Sequence, residues 1–253
     1  MRSQAVLPLV ATVVSWEFAL ALFRRWRRSR RPYLRSWALS LLFFAAGSAC
    51  LWYGTAFGWS EPVFRGYYIC GALLSVPWLA MGELELLAPP KVGRVIVVFL
   101  VLLSFNAALV LGASPFVPGA EEISGYAPPH GSEHFGVLPR VLVVVSNAVG
   151  TFVVLGGTLW SGWRARGQGP AARSRFRGTL VIALGVAIAA TGGALTFLSE
   201  EDSQAAPLAL GVTVMYAGFV LASRRPGAHR SERRADETLA PGEDPARVVA
   251  AAV

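Results

Sequence analysis

The placement of charge between long apolar stretches constrains the fold of this chain more than any other feature. Seven such stretches can be read from the sequence, and 20 of the 23 basic residues lie in alternate gaps between them or in the C-terminal tail. The first of these gaps, residues 24–35, holds seven arginines, whereas the intervening gaps carry acids such as Glu61 and Glu121. Short loops rich in Lys and Arg stay on the cytoplasmic side during membrane insertion. The sequence therefore predicts an all-α bundle of seven membrane-spanning helices, with the N-terminus outside and the C-terminus in the cytoplasm.

The apolar stretches have the length that a membrane requires. A helix rises about 1.5 Å per residue, and the hydrocarbon core of a bilayer is about 30 Å thick. The predicted spans are residues 4–23, 36–58, 63–88, 92–112, 137–160, 178–198 and 207–223, the last being the shortest. They make residues 1–223 one transmembrane domain. Residues 224–253 contain few large apolar side chains, which predicts a disordered cytoplasmic tail.

The composition places the chain in a membrane rather than on nucleic acid. Hydrophobic residues make up 54% of the chain and charged residues only 15%, unlike a soluble globular protein. The net charge of +8 arises from basic residues at helix ends, where they face anionic lipids of the inner leaflet. We therefore predict a multi-pass protein of the plasma membrane that contacts anionic lipids and no nucleic acid. The excess of 22 arginines over the single Lys91 indicates a GC-rich, bacterial source.

Three carboxyl groups fall inside predicted spans, all in the inner half of the bilayer. Glu83 and Glu85 are two residues apart on one helix, so they lie about 200° apart and cannot face the same site. Glu85 is close to the loop of Lys91 and Arg94, which predicts an ion pair there. Glu17 and Glu83 lie deeper, at matching depth, and are candidate binding residues because charges at this depth usually face a partner or a cavity. The alternative is that both pair with basic residues of the inner loops.

Pro77 and two asparagines are further candidates for a polar interior. Pro77 removes a hydrogen bond to the carbonyl of Leu73, which predicts a kink in the third helix. Asn106 and Asn147 are placed at similar depth in neighbouring helices four and five. A hydrogen bond between these two amides is the preferred interpretation, and a place in a binding site is the alternative.

The outer loop contains a sequence that matches a metallopeptidase pattern. His130, Glu133 and His134 fit H-x-x-E-H, but that chemistry needs both histidines on a rigid helix and a third ligand. Pro128 and Pro129 precede the motif, which favours a solvated loop, with a weak surface metal site as the alternative. The absence of Lys and His from the spans excludes a retinal Schiff base and histidine-ligated haem. We predict no cofactor.

Helices two and three carry a modest family resemblance. The residues concerned are Trp52, Gly58-Trp59, Phe64-Arg65-Gly66-Tyr67-Tyr68 and Gly71-Ala72-Leu73-Leu74. This stretch resembles a group of actinobacterial-type, seven-helix multi-pass membrane proteins for which no activity is known. The resemblance implies the membrane fold and no chemistry, and Glu83 and Glu85 are departures from it.

Three functions are compatible with these features. The first is transport or binding of a small molecule within the bundle, because spans one to three and five to seven run in parallel, an order that some sugar carriers use. The Pro-Gln dipeptide typical of those carriers is absent from the spans. The second is a non-catalytic scaffold or sensor that docks other proteins through the arginine-rich inner face. The expected protein partners are a second copy of the chain, in a homo-oligomer, or an unknown protein. The third, less favoured, is an intramembrane enzyme acting on a lipid or isoprenoid.

Overall fold

The long apolar stretches of the sequence fold into helices that pack side by side. The computed structural model describes residues 5–117, 123, 125–129, 131–165, 180–182, 184–189, 191 and 205–223, and these contain no β-strand. The helices are α1 (Val6–Ser29), α2 (Pro32–Phe57), α3 (Glu61–Leu87), α4 (Pro90–Ala113), α5 (Gly131–His134), α6 (Val137–Ala165), α7 (Leu180–Ala189) and α8 (Ala205–Ser223). Five of them, α1 to α4 and α6, are long and apolar enough to cross a membrane.

The first five predicted spans are confirmed as helices. The structure describes only part of the sixth and seventh predicted spans. The described residues of the sixth and seventh spans form the shorter apolar helices α7 and α8. The predicted disordered tail, residues 224–253, lies outside the described residues. The all-helical, membrane-type architecture is therefore established for the described chain.

The arginine-rich gap after the first span is shorter than the sequence suggests. Helix α1 continues to Ser29 and α2 begins at Pro32, so the turn between them consists of Arg30 and Arg31. Arg30 adopts a left-handed conformation, with φ 54°, and its N–H donates to the carbonyl of Trp26. Arg27 and Arg28 lie in the last turn of α1, where basic side chains are favourable. We call this side of the bundle the arginine end and the opposite side, where α4 ends at Ala113 and α6 begins at Val137, the loop end.

Helix α3 passes Pro77 by changing its hydrogen-bond register. Residues Tyr67–Leu74 form a π-helical segment, with α-helix on both sides. Pro77 has no N–H to donate and lies in the α-helical part that follows, three residues after the π-helical segment ends at Leu74. The Asn147 amide of α6 donates to the Ala72 carbonyl at 2.8 Å, and the Ser75 hydroxyl donates to Gly71 at 2.5 Å. The proline is thus accommodated within a continuous helix.

Glycines allow the helix backbones to approach closely at two places. A Cβ atom on Gly47 of α2 would lie 2.5 Å from the Cα atom of Gly71 in α3. A Cβ atom on Gly185 of α7 would lie 2.6 Å from the carbonyl oxygen of Gly211 in α8. Close backbone contacts of this kind hold helices together where lipid is as apolar as the side chains. They fix α2 on α3 and α7 on α8.

Candidate binding cavity

A cavity lies between the helices towards the arginine end of the bundle. It offers about 40 Å³ in which the centre of a water molecule can lie, which is enough for at least one water. Six helices contribute side chains to it: Phe18 and Leu22 of α1, Trp37 and Leu41 of α2, Leu79 and Glu83 of α3, Val154 and Thr158 of α6, Ile182 and Val186 of α7, and Met215 of α8. Among the long helices, α4 alone supplies no side chain to this lining. The cavity is therefore where the two halves of the chain meet.

Glu83 is the charged group of this cavity. The residue is only 5% exposed, and within the described part of the chain its carboxyl forms no hydrogen bond or ion pair. The other polar lining residue is Thr158, which is 4% exposed. A buried carboxyl without a partner is costly in an apolar interior, so such groups are retained mainly where they bind something.

Gly157 makes room for the Glu83 side chain. A Cβ atom at position 157 would lie 2.9 Å from Oε1 of Glu83 and 3.0 Å from Cδ1 of Leu87, and closer still to Cγ of Glu83. The adjacent Gly156 has no such neighbour within 4 Å. Helix α6 therefore presents its smallest residue to the carboxyl of α3 that lines the cavity.

Glu85 is held on a different side of α3, as its spacing predicts. The Ser36 hydroxyl donates to Oε2 of Glu85 at 2.7 Å, and Nη2 of Arg35 lies 4.0 Å from Oε1. The expected ion pair is present, but its cation comes from α2 rather than from the Lys91 and Arg94 loop. Helix α2 reaches Glu85 first because it packs directly along α3.

Glu17 does not share a site with Glu83. Its side chain is exposed on α1, whereas the next residue, Phe18, is buried and lines the cavity. The buried face of α1 is formed by Pro8, Ala11, Ser15, Phe18, Ala19 and Leu22. Consecutive helical residues are about 100° apart, so a helix that buries Phe18 in this way turns Glu17 outward.

The two asparagines do not bind each other. Asn106 is exposed, and its amide donates to the Leu102 carbonyl of its own helix at 2.8 Å. Asn147 donates instead to Ala72, and its own Oδ1 is buried without a partner in the described structure. The predicted hydrogen bond between them is therefore wrong, because the π-helical segment of α3 provides a nearer carbonyl for Asn147. Neither asparagine lines the cavity.

The histidine motif at the loop end is part of an aromatic cluster. His134 is 5% exposed and packs against the rings of Phe64 and Phe116, at centroid distances of 5.4 and 5.6 Å. Glu133 is exposed, and His130 lies outside the described residues. Across the described chain, no group of three or more metal-ligating side chains is found. The described residues of the motif, Gly131–His134, form the single helical turn α5 rather than the predicted loop.

Arg65 holds the loop end together and was not singled out by the sequence. Its guanidinium donates to the carbonyls of Leu111 at 2.6 Å and Ser114 at 2.9 Å, and to Oε1 of Glu61 at 2.8 Å. The same group lies 4.5 Å from the ring centroid of Phe116. Arg65 thereby satisfies carbonyls at the C-terminus of α4, which otherwise lack donors. Its role is structural.

The face of α6 that packs on α3 and carries the cavity residue Val154 could have been found from spacing alone. Gly150, Val154 and Gly157 recur on α6 at intervals of four and three residues, which marks a face in contact with another helix.

Comparisons with known proteins do not identify a family for this chain. No protein-family model matches the chain, and neither a curated protein nor a solved structure is significantly similar to it. The family resemblance of helices two and three therefore stays a prediction.

Proposed function

We propose that this chain is a seven-span protein of the plasma membrane that binds a small molecule at Glu83 and carries it across the bilayer. In this proposal the N-terminus is outside and the arginine end faces the cytoplasm, as the distribution of basic residues favours. The observation that carries the proposal is the cavity, where six helices meet around one buried carboxyl. A structural core would be expected to contain an apolar side chain there.

The position of α4 supports a carrier. The cavity is lined by α1 to α3 and by α6 to α8, which correspond to predicted spans one to three and five to seven. Only 11% of the apolar window of α4 is buried, so this helix lies at the edge of the bundle. In some carriers, two parallel three-helix units enclose the substrate and one additional helix joins them. The arrangement of these helices fits that plan.

The lining of the cavity suggests the kind of ligand. Its apolar residues include the rings of Phe18 and Trp37, and its polar groups are the Glu83 carboxyl and the Thr158 hydroxyl. Pockets for small molecules are mostly apolar with a few placed polar groups that fix orientation. We infer a small, largely apolar molecule with a cationic or hydrogen-bond-donating group that meets Glu83.

Native mass spectrometry of the purified protein in lipid nanodiscs tests this proposal. We expect the wild type to retain a small molecule, and Glu83→Gln to lose it, because the amide keeps the shape of the side chain but not its charge. Glu17→Gln is the matched control, since it removes an exposed carboxyl from the same half of the bundle. Retention of the molecule by Glu83→Gln at the wild-type level would show that the cavity carboxyl does not bind it.

A hydrophobic carbodiimide provides a second measurement that needs no known ligand. Such reagents modify carboxyls in apolar surroundings, so the wild type and Glu17→Gln should be labelled at Glu83. Prior occupation of the cavity by the retained molecule should slow the labelling. Labelling that is confined to other carboxyls would show that the reagent does not reach Glu83 from the membrane, and would contradict an accessible cavity.

A scaffold or sensor is the second proposal, because arginine side chains at the arginine end are exposed and can bind a partner. Arg24, Arg27 and Arg28 are exposed along the last turns of α1. Such a surface suits anionic lipids or an acidic protein segment. Co-purification of a stoichiometric protein partner, lost when these three arginines are replaced by Gln, would favour this role over transport.

A further inference from the structure

The exposed face of α4 is opposite to the face that packs on the bundle. The buried residues of α4 are Gly93, Ala107 and Leu111, which lie on one side of the helix. The most exposed residues lie on the other side: Val95 is 71% exposed and Phe99 is 65% exposed. An apolar face of this kind is expected next to lipid, and by itself it indicates no partner.

The exposed face of α4 is broad and also includes Val98 at 55% and Phe105 at 63%, and one row with heptad spacing runs along its centre. Steps of four, three, four, three and four residues connect Val95, Phe99, Leu102, Asn106, Leu109 and Ala113, and all six are exposed. We call this row the α4 stripe. Apolar positions repeated every 3.5 residues form a narrow seam that packs against a second helix with the same repeat. Such a row is present along the middle of any broad exposed helix face, so the residue that distinguishes a partner helix from lipid is Asn106.

Asn106 is the exception within the α4 stripe. It lies seven residues, about 10 Å, from the end of the helix at Ala113, and is therefore within the apolar part of the span. One N–H of its side-chain amide donates to the carbonyl of Leu102. A primary amide has a second N–H and an oxygen acceptor. Lipid chains cannot satisfy these groups, so an exposed amide here favours contact with another polar side chain.

We propose that the α4 stripe binds the α4 stripe of a second copy of this chain, with the two Asn106 side chains paired at the centre. Both copies insert in the same orientation, so a two-fold axis along the membrane normal makes their α4 helices parallel. In a parallel, in-register seam each residue lies next to its own copy. An amide is both donor and acceptor, so Asn106 is complementary to itself. A different protein would need a polar residue at the same depth, whereas a second copy always has one.

Cysteine cross-linking in native membranes tests the geometry of this dimer. In a background with Cys50→Ala and Cys70→Ala, Ala113→Cys places a thiol at the outer end of the α4 stripe. Gly112→Cys is the matched control, because it is exposed at almost the same depth, in open space, and about 100° around the helix. With a mild oxidant we expect a disulfide-linked dimer from Ala113→Cys and little from Gly112→Cys. Equal cross-linking of both variants, or none from Ala113→Cys, would overturn the proposal.

Dilution of the purified protein in lipid vesicles tests the role of Asn106. Energy transfer between labelled copies should show a dimer that Asn106→Leu weakens about threefold to tenfold, the range for one hydrogen bond between membrane helices. Asn106→Gln keeps an amide and should retain most of the association. A wild type that stays monomeric at all protein-to-lipid ratios, or an Asn106→Leu variant that associates as strongly as the wild type, would refute the paired amides. Neither measurement depends on what the cavity binds.

Discussion

The space beside Glu83 can be tested by adding one methyl group at Gly157. In Gly157→Ala the new carbon would lie 2.9 Å from Oε1 of Glu83 and 3.0 Å from Cδ1 of Leu87. Favourable contacts between carbon atoms lie at about 3.5–4.0 Å, so Leu87 must move away by roughly 0.5–1 Å, and Cγ of Glu83, which lies closer still to the new carbon, must move by more. Overpacking of this kind destabilises a core by about 1–3 kcal/mol.

Gly156→Ala separates this contact from the effect of alanine on the helix. Replacing Gly by Ala in a helix stabilises it by up to about 1 kcal/mol, and both variants gain this contribution. A Cβ atom at position 156 has open space around it. The difference in melting temperature between the two variants therefore measures the contact with Glu83. We expect Gly157→Ala to melt lower than Gly156→Ala by several degrees in detergent.

The same comparison tests ligand binding. A shifted Glu83 carboxyl should lose much of a charged hydrogen bond, which contributes about 1.5–3 kcal/mol. We therefore expect Gly157→Ala to weaken retention of the bound molecule at least about tenfold. The double variant Gly157→Ala/Glu83→Asp has a shorter acid and should recover part of the melting temperature. If Gly157→Ala matches Gly156→Ala in both stability and retention, the cavity does not depend on the position of Glu83 and our reasoning fails.

Three further predictions concern the loop end and the topology. Arg65→Leu leaves the carbonyls of Leu111 and Ser114 without their donor and should lower the free energy of unfolding by about 2–4 kcal/mol, while the exposed Arg94→Leu changes it by less than about 0.5 kcal/mol. His134→Ala should lower the free energy of unfolding by about 2 kcal/mol through lost packing, to the same extent with and without a chelator. Glu133→Ala, at an exposed residue, should have no effect. A chelator that destabilises the wild type by the same amount as His134→Ala would instead indicate a bound metal. A reporter inserted within residues 166–172 or after Arg224 should report the cytoplasm, and a reporter within residues 121–131 should report the exterior. An external signal from the insertion within residues 166–172 would refute the seven-span topology.

The sequence predicts the long helices well because the bilayer determines their length. Stretches of about 20 apolar residues have few alternatives in a chain with this charge distribution. The separation of Glu83 from Glu85 also follows from helical periodicity. These features depend on local spacing and on the membrane, so they need no knowledge of how the helices pack.

The placement of Glu17 was missed although its signal was present. The residues Ala11, Ser15, Phe18 and Leu22 follow the spacing of a buried helix face, and Glu17 lies beside that face rather than on it. Depth alone made Glu17 a match for Glu83. Depth and direction around the helix are independent, and a binding site requires both.

The partner of Asn147 could not be predicted from local pattern. The sequence shows that Pro77 removes a donor, but the register of the surrounding hydrogen bonds decides which carbonyl is left free. A π-helical segment ends three residues before Pro77, and the carbonyl that accepts from Asn147 is that of Ala72. The packing of α6 against α3, which brings Asn147 to this carbonyl, is a property of the assembled bundle.

The π-helical segment also determines where α3 can tolerate a change in length. A π-helical turn holds about one residue more than an α-helical turn, so removal of one residue from Tyr67–Leu74 can restore regular α-helix without rotating either flank. The same deletion between Ser75 and Gly82 would rotate Glu83 by about 100° away from the residues that surround it. Insertions and deletions in related chains should therefore be confined to the segment before Pro77. Within α3, the length of the helix can therefore change at this segment during evolution while the orientation of Glu83 stays the same.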